Sequence, residues 1–226
     1  MGPYSNPCCE IKRESCRGNG LINSENEAAA VKLAGRLKII SRNQAEIAIG
    51  INGEKLGRVF KRLWGWGYLD RLTSGATPPL YVLGPEGRKA LQAPREEWDA
   101  LRAFRLVMAN QLHLRLPQFD YEPEPGPGVT GLLKLNGVEY PVYCPRLGDE
   151  EWCKVVTDLL PEKSRPVIVA ATKEMAVKLA KVIRFDLPAR FVWDDLLADS
   201  EFCFYRREKG VLVPAEKNIL VGRKNC

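Results

Sequence analysis

The sequence predicts an α+β protein built from two folded units. Three observations carry this expectation. Capping signatures and helix-spaced apolar residues fill residues 24–64. A strand, turn, strand pattern follows over residues 68–83. Beyond a Pro- and Gly-rich stretch, residues 131–213 read as hairpin, helix, strand, helix, strand. With 226 residues, 45% hydrophobic and 27% charged, the chain has a globular composition and can bury a core without disulfides or metal. No run approaches the roughly 18 apolar residues of a membrane span, and residues 1–20 lack the apolar core of a signal peptide. A cytoplasmic protein with no membrane partner is therefore expected.

The expected boundaries are a flexible leader at 1–23, a first domain at 24–116, a linker at 117–131 and an α/β module at 132–226. In the first domain, Ser24-x-x-Glu27 is a capping box ahead of Val31, Leu33, Ala34 and Leu37. A second box, Ser41-x-x-Gln44, opens a short helix that Gly50 ends. After the Ile51-Asn52-Gly53 turn, Leu56, Val59, Phe60 and Leu63 give the helix from Glu54 to Trp64 one buried face, and Lys55, Arg58 and Arg62 share the other. Two helices joined by a tight turn, the second carrying cations outward, have the pattern of a helix-turn-helix. Tyr68–Leu72 and Leu80–Leu83 then form a hairpin, so the unit is expected to be a winged helix-turn-helix. Pro85 opens another helix, and a longer helical stretch runs from about Arg95 to Arg115.

In the module, Asn136-Gly137 between apolar-rich runs signals a hairpin. A helix is expected over Asp149–Leu160, a buried strand over Pro166–Ala171, a helix over Met175–Ile183, and strands over Arg190–Trp193 and Phe202–Val213.

Charge and composition narrow the function classes. The first 95 residues hold fifteen Lys and Arg against eight Asp and Glu, and the remainder nineteen against twenty. The excess positive charge lies in the N-terminal part, where a polyanion-binding face is to be sought. Seven cysteines, Cys8, Cys9, Cys16, Cys144, Cys153, Cys203 and Cys226, show no C-x-x-C pair and are expected to be reduced thiols in a chain with no metal and no cofactor. His113 is the only histidine, which excludes two-histidine metal sites and histidine relays, and its place at the end of a helix suggests a structural role. Gly126, Gly128 and Gly131 spell G-x-G-x-x-G, but they follow a Pro-rich run and lead into a strand-like one. A dinucleotide fingerprint follows a strand and opens a helix.

The run RNQAEIAIGINGEKLGRVFKRLWGWGYLDRL, its return PPLYVLGPEGRKAL and the following LRAFRLVMANQLHLRL resemble the replication-relaxation proteins of plasmids and integrative elements. The resemblance covers about residues 25–116. It implies a winged helix that binds double-stranded DNA in plasmid or mobile-element replication or regulation, and a second half resembling a degenerate restriction-endonuclease-like fold. A winged-helix transcriptional regulator of another lineage shares the same phrases.

The expected function is thus nonenzymatic binding of double-stranded DNA. Lys55, Arg58 and Arg62 lie along the helix that enters the groove, Lys61 flanks it, and Arg71 stands on the wing. The enzymatic rival is a metal-dependent nuclease in the module. Its hairpin offers Glu139-x-Pro141 where acid-x-Lys is needed, with Asp120, Glu122 and Glu124 in the preceding segment. On the 95–115 helix, Trp98, Leu101, Phe104, Val107, Met108 and Leu112 form one apolar side while Ala103, Leu106 and Ala109 extend it. That second surface leaves two readings open, a homodimer through this helix or packing within the same chain.

Overall fold

The structure, a computed structural model, describes residues 2–7, 10–75, 77–199 and 202–215. The chain divides into two compact units, Cys8–Ala103 and Met1–Pro7 with Phe104–Cys226. The described residues form eight helices and two sheets, a mixed α+β architecture.

The first unit opens with β1 (Lys12–Glu14) and α1 (Glu25–Leu37). Ser24 caps α1 by accepting the Glu27 N–H at 3.3 Å. The Glu27 carboxylate accepts from the Asn23 N–H instead of the Ser24 N–H, so the expected box closes one residue early. Next come β2 (Ile39–Ser41), with both isoleucines fully buried, and α2 (Arg42–Ile49), whose box of Ser41 and Gln44 is complete. Gly50 ends α2 at φ 74°, a left-handed conformation that suits glycine. Asn52 then caps α3 (Gly53–Gly65) through the Lys55 N–H at 2.9 Å. Leu56, Val59, Phe60 and Leu63 are the buried residues of α3, as their spacing predicts. Each contributes roughly 1.5–3 kcal/mol by leaving water.

Strands β3 (Leu69–Thr73) and β4 (Leu80–Leu83) form the expected hairpin, and α4 (Pro85–Leu91) starts on its proline. The sheet order is β1-β3-β4-β2, antiparallel throughout. The expected flexible leader is therefore corrected over its described residues, because β1 is a strand of this sheet. Its Arg13 Nε donates to the buried Asp70 at 2.7 Å. The leader glycines serve close approach: a side-chain carbon on Gly20 would lie 2.0 Å from the Trp66 ring.

The second unit takes most of α5 (Ala100–Arg115), then β5 (Asp120–Gly126), β6 (Val129–Leu135), β7 (Val138–Tyr143) and α6 (Glu150–Asp158). It continues through β8 (Val167–Ala170), α7 (Lys173–Val182), β9 (Arg190–Trp193), α8 (Asp194–Ala198), β10 (Tyr205–Glu208) and β11 (Val211–Pro214). One seven-stranded sheet runs β11-β10-β9-β8-β7-β6-β5. The pairs β7·β8 and β8·β9 are parallel and the rest antiparallel. Tyr143, Ile168 and Phe191 from the strands and Cys153, Met175 and Leu179 from α6 and α7 share one buried core. Asn136 and Gly137 turn the β6–β7 hairpin with φ of 51° and 75°, as the Asn-Gly signal predicts.

Three further expectations are corrected. The 117–131 linker is largely strand, because β5 lies at the sheet edge, where prolines interrupt no second ladder. The helix expected from Arg95 starts at Ala100, behind Pro94. The strand expected over Phe202–Val213 is a hairpin, turned by Lys209 and Gly210 at φ 48° and 81°. Moreover, Ala103, Leu106 and Ala109 are fully buried within the single chain, so the apolar surface that motivated a homodimer is already covered.

At the end of β7, Arg146 is wholly buried. Its guanidinium donates to Asp194 at 2.7 Å, to the Val169 carbonyl at 2.7 Å and to the Cys144 carbonyl at 3.2 Å. The Ser5 hydroxyl donates to the same carboxylate at 2.9 Å, and the Leu147 N–H donates to the Ser5 carbonyl at 3.1 Å. Residues 2–7, expected as leader, are thus folded into this unit, with Tyr4 and Ser5 buried. Burial pushes the Asp194 carboxyl up, against the pull of Arg146 and Ser5.

Asp194→Ala leaves an uncompensated buried guanidinium and is expected to cost about 3–5 kcal/mol, measured by urea denaturation. Burial also raises the thiols of Cys144 and Cys153 to about 12. Because the thiolate is the nucleophile, neither should be alkylated at pH 8 in the native protein. Both should react after denaturation, and mass spectrometry distinguishes the two states. Of the N-terminal cysteines, Cys16 is half-buried, while Cys8 and Cys9 lie outside the described residues.

Candidate nucleic-acid interface

A cation serves a polyanion only when it reaches solvent without being neutralised from within. On α3, Lys55, Arg58, Lys61 and Arg62 are exposed on the side opposite the buried stripe, and Arg71 on β3 is half-buried. The structure separates these five by their partners. Arg62 is bound at 2.7 Å to Glu27 of α1, whose side chain is 1% exposed. Arg71 is bound at 2.6 Å to Glu14 of β1 and stacks 5.1 Å from the Trp64 ring centre. The Trp64 indole N–H in turn donates to the Glu14 carbonyl at 3.2 Å. Arg58 meets Glu54 at 3.7 Å, but both side chains are largely exposed, and an exposed pair of this kind holds its arginine weakly. Lys55 and Lys61 enter no ion pair among the described residues.

The expected stripe therefore splits. Lys55, Arg58 and Lys61 are available to a ligand, whereas Arg62 and Arg71 already serve the fold. Sequence spacing cannot reveal this, since Glu14 and Glu27 lie far from their partners along the chain.

Two shallow grooves border α1. One, of about 350 Å³, is lined by Ser24, Asn26, Lys55, Arg58, Val59 and Arg62. The other, of about 450 Å³, includes Lys32 and Arg36 with Ala48 and Ile49. Lys32 and Arg36 lie outside the set of cations expected from the sequence. Their i, i+4 spacing on the side of α1 away from Val31 and Ala34 is the signal that finds them.

In the C-terminal unit, three of the four carboxylates considered for metal chemistry, Asp120, Glu122 and Glu139, come together around Lys134. Asp120 and Glu139 both face Lys134 across the sheet. The Lys134 ammonium lies 3.2 Å from Glu122 and 3.5 Å from Glu139. Its hydrogen bond to Glu122 raises the ammonium above its ordinary value. The lysine thus pairs with two of these carboxylates, all three side chains being substantially exposed, and its single charge offsets one of them. Among the described residues, no group of three His, Cys, Asp or Glu side chains is arranged to hold a metal ion. His113 stacks on Tyr121 at 4.7 Å and an 11° interplanar angle, and the Tyr121 hydroxyl donates to Asn110 at 2.8 Å. Among the described residues, no helix is long and apolar enough to cross a membrane.

Arg62→Ala strips a buried carboxylate of its cation and is expected to cost about 1–3 kcal/mol, discounted for the half-exposed arginine. Lys61→Ala should stay within about 0.5 kcal/mol of wild type. Parallel denaturant titrations measure both, and equal stabilities would remove the structural role assigned to Arg62. Compared with models of known families, with curated proteins and with solved structures, the chain has no match.

Proposed function

We propose that the first unit is a winged helix that binds double-stranded DNA, with α3 in the major groove and the β3–β4 hairpin as the wing. The observation that carries this proposal is the division of α3 into two faces. Leu56, Val59, Phe60 and Leu63 fasten it to its unit, while Lys55, Arg58 and Lys61 stand in solvent on the other side. The order α1, β2, α2, α3, β3, β4, with β2 closing a sheet on the hairpin, supports the winged-helix assignment. Lys55, Arg58 and Lys61 contact phosphates, and Lys32 and Arg36 extend the basic surface along α1. Arg62 and Arg71 hold the reading helix and the hairpin in place through Glu27 and Glu14.

The resemblance of residues 25–116 to replication-relaxation proteins supplies the wider setting, replication or regulation in a plasmid or mobile element. The C-terminal unit serves as a degenerate restriction-endonuclease-like scaffold without catalysis, its hairpin carrying Glu139-x-Pro141 where acid-x-Lys is needed.

Fluorescence anisotropy of a mixed-sequence duplex over a salt series tests the proposal. The logarithm of affinity should fall linearly with the logarithm of salt, with a slope of about −0.9 for each phosphate neutralised. Each of Lys55→Ala and Lys61→Ala should reduce that slope by about 1. The triple variant with Arg58→Ala should lose measurable binding while unfolding at the wild-type temperature. Undiminished binding by a folded triple variant would overturn the assignment.

A further inference from the structure

On the C-terminal unit, the register of β9 and β10 sets Arg190 directly opposite Arg206. Like charges facing each other across an antiparallel pair destabilise it, so this position calls for negative charge. The chain supplies little of it. Arg206 pairs with Glu208. Among the described residues, Arg190 donates to the backbone carbonyls of Pro188 and Ala189 alone, each 3.4 Å from the same nitrogen. No carboxylate among the described residues pairs with Arg190 or with the exposed Arg165, two residues before β8.

The cross-strand neighbour of Arg190 on β8 is Val167, and that of Val167 on β7 is Val142, both fully buried and apolar. The Nε–H groups of Arg190 and Arg206 are buried without an acceptor among the described residues. Buried donors left unmade cost stability unless something occupies them. Burial first, and then the charges of Arg206 and Arg165, push the Arg190 guanidinium below its ordinary value, while the nearby Tyr140 phenol acts in the opposite sense. With the register, in which Arg165 and Tyr140 each lie two residues before the Val167 and Val142 pair, this places three guanidiniums and a phenol near one another at one end of the central strands.

We propose that Arg165, Arg190 and Arg206, with the Tyr140 hydroxyl, form a binding site for a phosphate group. A guanidinium presents Nε–H and Nη–H as a planar fork that takes two oxygens at once. Three such forks suit a multiply charged tetrahedral oxyanion, whose oxygens supply the acceptors the two Nε–H groups lack. A carboxylate, with a single charge and two oxygens, leaves more of these donors unmatched. The phosphate belongs either to a small phosphorylated ligand or to a nucleic-acid backbone, and both present the same oxygens.

The test uses the full chain. Isothermal titration with inorganic phosphate, and separately with pyrophosphate and with a short DNA duplex, is compared with chloride at matched ionic strength. The duplex titration is repeated in the background of Lys55→Ala, Arg58→Ala and Lys61→Ala, which removes the surface proposed on α3 and separates the two proposals. Binding of a phosphate compound in either background, weakened about tenfold by each of Arg190→Gln and Arg165→Gln, is the expected result. Because Arg165 is exposed, its variant keeps the test valid should Arg190→Gln fail to fold. Response to inorganic phosphate or pyrophosphate identifies a small ligand as sufficient, and response to the duplex alone identifies the nucleic-acid backbone. No binding of any probe, or binding that a folded Arg165→Gln variant leaves unchanged, overturns the site.

Discussion

A guanidinium removed from water is among the costliest groups a fold can hold, and the second unit is organised around one. Desolvating Arg146 and Asp194 costs several kcal/mol for each ion. Their attraction offsets that cost only because the remaining donors are also met, by carbonyls at the end of β7 and on β8. Asp194 opens α8 directly after β9, so one ion pair joins three neighbouring strands of the sheet. Ser5 donates to the same carboxylate, and this turns residues 2–7 from a tail into part of the core. A hydrophobic pair at these positions would pack without specifying which backbone carbonyls must converge. The ion pair specifies them.

Arginines in the first unit are governed by the same competition in milder form. Glu27 is buried and holds Arg62, Glu14 is half-exposed and holds Arg71, and Glu54 stands in water and holds Arg58 only loosely. The depth of the carboxylate, more than the identity of the cation, decides whether a basic side chain belongs to the fold or to a ligand. This gradation gives α3 its division of labour. The arginine that secures the helix and the lysines offered to solvent are interleaved along the same few turns.

The C-terminal sheet shows the two outcomes of charge placed on a strand surface. Lys134 lies among Asp120, Glu122 and Glu139 and pairs with the last two, so opposite charges stand side by side. Around Arg190, Arg206 and Arg165 opposite charge is scarce, since Glu208 is the one carboxylate paired there among the described residues. Buried guanidinium N–H groups with no acceptor among the described residues mark the second place as unfinished.

Interactions between near neighbours in the chain make much of the molecule legible in its sequence. Capping at Ser41 and Gln44, the glycine stop at Gly50, the apolar stripe of α3, the β3–β4 hairpin and the Asn136-Gly137 turn each depend on residues within a few positions of one another. Their short-range energetics survive in any context. The exposed side of α3 follows from the same periodicity. What tertiary structure decided depends on partners remote in sequence. Glycine in the leader reads as flexibility until Trp66 lies against Gly20, and proline at 123 and 125 reads as linker until β5 proves to be an edge. Arg62 reads as a ligand-binding cation until Glu27 is found beside it. Amino-acid sequence by itself determined the periodic elements and the sign of the charge on each face. Only the folded chain decided which charges are neutralised, because an ion pair depends on distance and burial, and neither is a local property of the chain.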